Sequence, residues 1–299
     1  MRVLVTGASG FVGMNLLEAL LKRDHEVVAV SLDALPVRLK VTEVKADATD
    51  TPLLEKLMRE HRVDAVWHGA AITAGPEREK REAARILEVN TLATLRTLEA
   101  AARVGVKRFI YPSSSAVYGE TAFVGAGPIG EDEPLRPFNL YGISKVAAEG
   151  AVLRVGPALG LEVCAGRINA VFGPWERDTG LRDTLSPHLQ MVGMAREGIE
   201  AVLARDVADA FVTMLEAPSV PTLAMNITPG KLWPLEIMAR ALGKRFPGFR
   251  WRYGETNLGY GGPIDRPRRV LSNKLLMEKL GWSPAHSPET ACSDFVQRL

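Results

Sequence analysis

Met1-Arg2-Val3-Leu4-Val5-Thr6-Gly7-Ala8-Ser9-Gly10-Phe11-Val12-Gly13 decides how this chain folds. Val3 to Val5 is short, apolar and β-branched, as a parallel strand buried on both faces requires. Glycines follow at positions 7, 10 and 13, and Phe11 to Lys22 then carries the helical period. One such glycine permits a tight turn, another lets the backbone approach a pyrophosphate, and a third lets helix and strand pack closely. The amides at the helix start, with the positive end of its dipole, then face the phosphates. Gly7, Ser9, Gly10, Phe11, Val12 and Gly13 are therefore predicted to line a dinucleotide site.

The same rhythm continues outward. Val27 to Val30, Ala65 to Trp67, Phe109 to Tyr111 and Leu161 to Arg167 read as buried strands. Pro52 to Glu60, Glu82 to Arg103 and Leu140 to Leu153 read as helices. Strand–helix alternation with right-handed crossovers predicts an α/β fold, a Rossmann-type doubly wound parallel sheet. After about residue 170 the rhythm breaks at Phe172 to Trp175. Helices are predicted over 207–216, 235–242 and 272–280, with a strand over 224–227. This part shows no complete core pattern of its own. The expected organisation is a dinucleotide-binding domain over 1–170, plus parts of the later chain, and a smaller mixed α/β substrate-binding lobe over about 171–299.

The bulk numbers exclude several classes. The 299 residues carry 37 basic and 35 acidic side chains, a net charge of +2, and no basic tract that would suit nucleic acid. Cys164 and Cys292 form no ligand pattern and are expected as buried free thiols, with one disulfide left open. The five histidines lack paired ligand spacing, so no metal site is predicted. The chain starts directly in a strand, with no leader and no apolar run long enough to span a bilayer, so a cytoplasmic location is expected.

The adenosine end is read from the strand ends. A carboxylate about 20 residues past the glycines can bind the ribose hydroxyls and would repel a phosphate. Asp33 stands at that distance, but the second strand reads as ending near Val30, which leaves Ser31 at the usual acidic position. Arg38 could instead meet a 2′-phosphate. NAD is the expected cofactor, with NADP not excluded. Asp47 and Ala48, after the third strand, could bracket the adenine.

Tyr141 and Lys145 lie four apart in Tyr141-Gly142-Ile143-Ser144-Lys145, on one face of a helix. A free tyrosine titrates near pH ~10, too high for a base at neutral pH. A nearby ammonium favours the phenolate and lowers that value. The strand at Phe109 runs into Ser113-Ser114-Ser115-Ala116-Val117-Tyr118-Gly119. Hydroxyls at the carboxyl end of a central parallel strand face the ligand crevice, where one can stabilise a substrate oxygen.

Taken in order, TGASGFVG at 6–13, HGAA at 68–71, Asn90, SSSAVYG at 113–119 and YGISK at 141–145 resemble one family. The chain is similar, over essentially its full length, to the extended short-chain dehydrogenase/reductases of the NAD-dependent epimerase/dehydratase family. Arg167 to Pro174 and Leu280 to Pro284 match its later motifs. The resemblance implies Tyr141 as general base or acid, Lys145 as its partner and Ser114 as the hydroxyl that polarises substrate. It implies that Ala70, Ala71 and Asn90 belong to the cofactor cleft, that Ser115 and Asn169 meet substrate, and that the protein is a homodimer joined through the helices near 92–102 and 144–153.

The family's sugar dehydratases carry an acidic pair just after the catalytic hydroxyl. Ser115 and Ala116 stand there, which argues against dehydration. Some thirty residues separate Pro174 from Arg205, so the segment that holds the nucleotide in the family's epimerases looks shortened. That stretch carries Arg177, Arg182 and Arg196, and further on come Arg266, Arg268 and Arg269. Arginine's planar fork suits carboxylate or phosphate. The expected substrate is a small carbohydrate-like molecule held by Arg177 and Arg182, and these arginines suit an anionic one. Three functions remain open: an oxidoreductase moving hydride between the cofactor and a hydroxyl carbon of a sugar or sugar acid, a UDP-sugar 4-epimerase, and a non-catalytic dinucleotide-binding regulator.

Overall fold

Strand polarity alternation shapes the molecule. In the computed structural model, which describes residues 1–177, 180, 183, 201–246 and 268–297, consecutive strand residues enter opposite cores. Val3, Val5, Val27 and Ala29 face one core, and Leu4, Val28, Val30 and Val66 the other. Except for the exposed β-strand over 42–45, the strands of the main sheet are thus apolar on both faces, which requires helices on both sides.

The strands are β1 (Arg2–Thr6), β2 (Glu26–Ser31), β3 (Thr42–Lys45), β4 (Ala65–His68), β5 (Arg108–Ser114), β6 (Glu162–Ile168), β7 (Ala170–Phe172), β8 (Ala201–Leu203) and β9 (Ala224–Ile227). Seven of them form one sheet in the order β3-β2-β1-β4-β5-β6-β9, parallel throughout. β7 and β8 pair with each other, also in parallel. The order reverses between β1 and β4, so a crevice opens beyond their carboxyl ends.

The helices are α1 (Phe11–Lys22), α2 (Thr51–Glu60), α3 (Pro76–Leu87), α4 (Ala93–Arg103), α5 (Leu140–Ala158), α6 (Ala204–Glu216), α7 (Leu235–Arg245), α8 (Lys274–Leu280) and α9 (Pro288–Val296). α1 and α6 bury Met14, Leu17, Leu20, Val207 and Phe211 on one face of the sheet. α2, α4 and α5 bury Leu54, Leu98, Ala148 and Val152 on the other. Each of these Val, Leu, Met and Phe side chains contributes about 1.5–3 kcal/mol by leaving water.

Three differences from the sequence reading have physical causes. The helix predicted from Glu82 starts at Pro76, kinks at Glu82 and passes through a π turn at Glu88–Leu92 before α4. Its first turns are charged and bury little, so no apolar stripe announced them, although Gly75-Pro76 is a start signal. β2 runs one residue further, to Ser31, which pairs with Lys45. After residue 170 the chain does two things. α6 and β9 complete the large sheet. Phe172, Trp233, Met238, Cys292 and Phe295 build a third core, in which Phe172 meets Trp233 and Phe295 edge-on at 6.2 and 6.0 Å. α9, capped by the Ser287 hydroxyl that accepts the Thr290 amide at 3.3 Å, supplies part of that core and is too short to show a period.

Cys164 and Cys292 are both buried and free. Among the described residues, no helix is long and apolar enough to cross a membrane.

Candidate active site

The crevice is first a backbone construction. Gly7 adopts φ +69°, and a Cβ there would lie 2.9 Å from the Gly69 carbonyl and the Ala70 nitrogen. The loop after β1 therefore rests directly on the loop after β4. A Cβ on Gly13 would stand 2.3 Å from the Gly7 oxygen, so α1 can pack this closely only with glycine there. Gly10 caps α1 without a side chain, and the first turn holds no acid, so the opening amides are left for an anion. Thr6 fastens the two loops. Its Oγ1 accepts the Ala70 amide at 3.2 Å and lies 3.1 Å from His68 Nδ1. His68 is driven down to about 3 by burial and by Lys145, and so stays neutral. These residues fit a dinucleotide: a cradle that any side chain would fill, and helix-end amides for its phosphates.

At the adenosine end the placements differ. Ser31 donates its hydroxyl to the Asp33 carbonyl at 2.9 Å, and Asp33 is exposed just beyond β2. Asp47 accepts from the Thr49 amide and hydroxyl, both at 2.9 Å, and from Arg85 at 2.5 Å. Burial works against its ionisation, yet the Thr49 bonds and Arg85 outweigh it and hold the carboxyl below its usual value. Asp47 is thus a turn clamp beside buried Ala48. Asn90 lies in the π turn and is 1% exposed. Its Oδ1 accepts the Ile72 amide at 2.8 Å, while Nδ2 donates to the Ile72 carbonyl at 2.9 Å and to Ser144 Oγ at 3.0 Å. Its amide group is committed to protein, so it acts on the cleft by fixing the segment that follows Ala70 and Ala71.

The next strand brings the chemistry. Asn139 caps α5 by accepting the Gly142 amide at 2.8 Å, which starts the helix that carries Tyr141 and Lys145. A Cβ on Gly142 would lie 2.8 Å from the Ala116 carbonyl, so this glycine lets α5 press against the serine loop. Lys145 is 4% exposed and donates to the Pro112 carbonyl at 2.8 Å. Its Nζ lies 4.7 Å from the Tyr111 ring and 5.9 Å from the Tyr141 ring. Burial lowers it to about 7, against the pull of Glu149. Ser114 ends β5, and its Oγ accepts the Ala116 amide at 3.2 Å. The structure thus brings the end of β5 and the start of α5 together.

Behind Lys145 stands a buried ion pair that the sequence reading did not find. Glu149, one turn further along α5, accepts from Arg167 Nη2 at 2.6 Å, with side-chain exposures of 6% and 4% for Arg167 and Glu149. Arg167 also donates to the Tyr118 hydroxyl at 2.9 Å, which donates to Asn226 at 2.8 Å. Tyr118 is pushed up to about 12, chiefly by burial. The only sequence hint was the four-residue step from Lys145 to Glu149 on one helix face. Tyr111 was legible only as a strand residue, and His68 only as the first residue of the HGAA motif.

The expected substrate residues separate. Asn169, 4% exposed at the carboxyl end of β6, reaches Thr228 at 3.5 Å and leaves Oδ1 without a protein partner. Ser115 accepts from Arg268 Nη2 at 3.0 Å. Arg177 instead donates to the Ser9 carbonyl at 3.3 Å, on the glycine loop, because Asn15 draws the preceding turn over α1 by donating to Pro174 at 2.8 Å. Arg182, like Arg196 and Arg266, lies outside the described residues.

A dinucleotide cradle at the sheet's switch point, beside a Tyr-Lys pair over the next strand end, defines a nicotinamide-dependent enzyme that moves hydride at a hydroxyl-bearing carbon. The chain belongs to the NAD dependent epimerase/dehydratase family, whose model matches residues 3–227. It is 31% identical to UDP-glucose 4-epimerase of Azospirillum brasilense, over 95% of this chain and 88% of that protein. It is 27% identical to 3-beta-hydroxysteroid dehydrogenase of Mycolicibacterium neoaurum, over 98% and 90%. Among solved structures it resembles the UDP-glucose 4-epimerase of Thermus thermophilus in complex with NAD, with a TM-score of 0.79, 25% identity, and 100% of this chain and 98% of that one covered. The chain is an NAD-dependent oxidoreductase-type enzyme of the extended short-chain kind, and the regulator reading falls away.

Proposed function

We propose that the protein is a 4-epimerase of a nucleotide sugar, working on NAD held in the glycine-loop cradle. The observation that carries the chemistry is Lys145, buried between Tyr111 and Tyr141 and tied to the end of β5. The likeness in sequence to a UDP-glucose 4-epimerase along nearly the whole chain supports the substrate class. Bound there, the nicotinamide supplies a hydride acceptor that can return what it takes. The Tyr141 phenolate takes the substrate's hydroxyl proton and, as the hydroxyl, later gives it back. Lys145 favours the phenolate of Tyr141 and holds the cofactor ribose. Ser114 donates a hydrogen bond to the substrate oxygen. Asn169 offers its unpaired Oδ1 to a sugar hydroxyl. Gly7, Ser9, Gly10, Phe11, Val12, Gly13 and Arg177 surround the phosphates, Ala70 and Ala71 line the cleft, and Ser31 and Asp33 take the adenosine ribose.

In this reading residues up to about 170, with α6 and β9, hold the cofactor, and the rest of the later chain holds the sugar. The enzyme works in the cytoplasm as a homodimer through α4 and α5. Leu92, just before α4, and Ile143 on α5, both 47% exposed, support that face.

A second reading, net oxidation of a sugar or sugar-acid hydroxyl, is favoured by the likeness to a dehydrogenase over 98% of the chain. Incubating the enzyme with UDP-sugars, free sugars and sugar acids separates the two. Product isomerisation without net NADH marks the epimerase, and stoichiometric NADH marks the dehydrogenase. Tyr141→Phe should lower turnover by about 10³-fold while leaving NAD bound. Retained turnover would remove Tyr141 from the centre.

A further inference from the structure

Lys145 and Glu149 lie in one buried layer between α5 and the ends of three strands, at 4% and 3% exposed. β4 contributes His68, β5 Tyr111 and β6 Arg167 to that layer. The neutral His68 ring stacks on Phe109 at 6.0 Å, and the Tyr111 ring lies 4.7 Å from Lys145 Nζ. Tyr111 is pushed well above its ordinary value by burial, then by Tyr141 and Glu149. At the start of α5, the Glu79 carboxylate of α3 accepts the Leu140 amide at 2.9 Å. Glu149 is the group that pulls Lys145 back towards its charged form.

Arg167 fixes that carboxylate. Its Nε donates to the two Glu149 oxygens at 3.2 and 3.1 Å, and its Nη2 donates to one of them at 2.6 Å. Its Nη1 is anchored on the Tyr118 hydroxyl at 2.9 Å and the Glu131 carbonyl at 3.0 Å. Glu149 is thus a rigid negative charge in a layer of low dielectric. Tyr141 and Lys145 can share one proton in two ways. Either the lysine is charged beside a phenolate, or both groups are neutral. Only the first supplies a base, and burial favours the second because it leaves no charge. Glu149 opposes burial. Along the helix axis it stands about 6 Å from Lys145 and about 12 Å from Tyr141. It therefore favours the ammonium more than it disfavours the phenolate. At an effective dielectric of about 20 that difference is about tenfold in the ratio of the two arrangements.

We propose that Glu149, held by Arg167, is a positioning residue that keeps the shared proton on Lys145 and so leaves Tyr141 as the phenolate. The inference rests on the Tyr141–Lys145 chemistry proposed above and adds the residue that sets its resting state. It acts through charge, so it separates from any role of the ion pair in holding α5 against β6.

The test reads the Tyr141 phenolate on the holoenzyme without sugar, as the ultraviolet difference across pH between each protein and its Tyr141→Phe counterpart. In Glu149→Gln the phenolate at neutral pH should fall about tenfold, and kcat for UDP-glucose should fall with it while KM changes little. Glu149→Asp keeps the charge and should retain most of both. Glu149→Met together with Arg167→Met removes both buried charges, so it should fold even where Glu149→Gln does not. It should still show the tenfold loss. Wild-type phenolate in that folded double variant would make the pair a scaffold and overturn the proposal. A loss in Glu149→Asp as large as in Glu149→Gln would overturn it too, since shape would then matter and charge would not. Full turnover in Tyr141→Phe would sink the Tyr141 reading, and the proposal with it. A wild type that does not turn over UDP-glucose would sink only the nucleotide-sugar reading, because the absorbance needs no sugar.

Discussion

The glycine loop after β1 and the serine loop after β5 both close the mouth of the sheet, yet they are built by opposite means. The first is made of missing side chains. A Cβ on Gly7 or Gly13 meets backbone atoms at 2.9 and 2.3 Å, so the cradle has no slack. The second is made of side-chain tips delivered from separate elements: Ser114 from β5, Tyr141 and Lys145 from α5, and Arg268 from beyond the lobe. A backbone cradle tolerates no addition. A side-chain centre tolerates loss of an atom in shape and forfeits its chemistry.

Four measurements would break or sharpen that contrast. The largest effect is expected at the support of the side-chain centre. Glu149→Gln leaves Arg167 charged and buried without its carboxylate, and should cost about 3–5 kcal/mol in urea unfolding. A loss under ~1 kcal/mol would show that the network behind Lys145 is incidental. Next comes the cradle. Gly13→Ala forces its methyl into the Gly7 carbonyl and should cost about 2–3 kcal/mol, with NAD affinity falling in parallel. Full NAD affinity in that variant would erase the distinction between the two loops.

The third effect has a sign set by protonation. Lys145 is held at about 7 against its ordinary 10.5, so the unfolded chain keeps the proton to higher pH than the native one. The native penalty is complete below about pH 7 and disappears above about pH 10.5. Lys145→Met should therefore lose activity yet gain stability at pH 7, with the gain shrinking as pH rises towards 10.5. Equal gains at both ends of that range would remove burial of the charge as the cause. The smallest effect is the cap of α5. Asn139→Ala should cost about 1 kcal/mol and lower kcat more than it raises KM, since the helix that carries Tyr141 and Lys145 starts there.

How much was legible follows the same divide. Strand–helix alternation, the glycine loop and the Tyr141–Lys145 step are local patterns, and β9 and α1 were read with the bounds that the structure shows. Helix α3 was half-missed because charged residues hide its period. Arg177 was expected among substrate residues and stands on the glycine loop, because Asn15 and Pro174 meet across 159 positions. Asn90 and Asp47 were expected at the cofactor, and both have their polar atoms taken by protein partners. Thr49 is a local turn partner of Asp47, but Arg85 and Ile72 lie 38 and 18 positions away, where flanking residues announce nothing.

By itself the sequence determined the doubly wound sheet, the dinucleotide cradle and the Tyr-Lys pair, because each depends on residues within one or two helical turns. Tertiary structure alone decided which polar groups became scaffolding and which stayed turned to the crevice. Arg167 found Glu149, Lys145 found Pro112 and Arg268 found Ser115 across 18, 33 and 153 positions. A buried polar group must be paired, and its partner is whichever group packing brings within reach, at any distance along the chain.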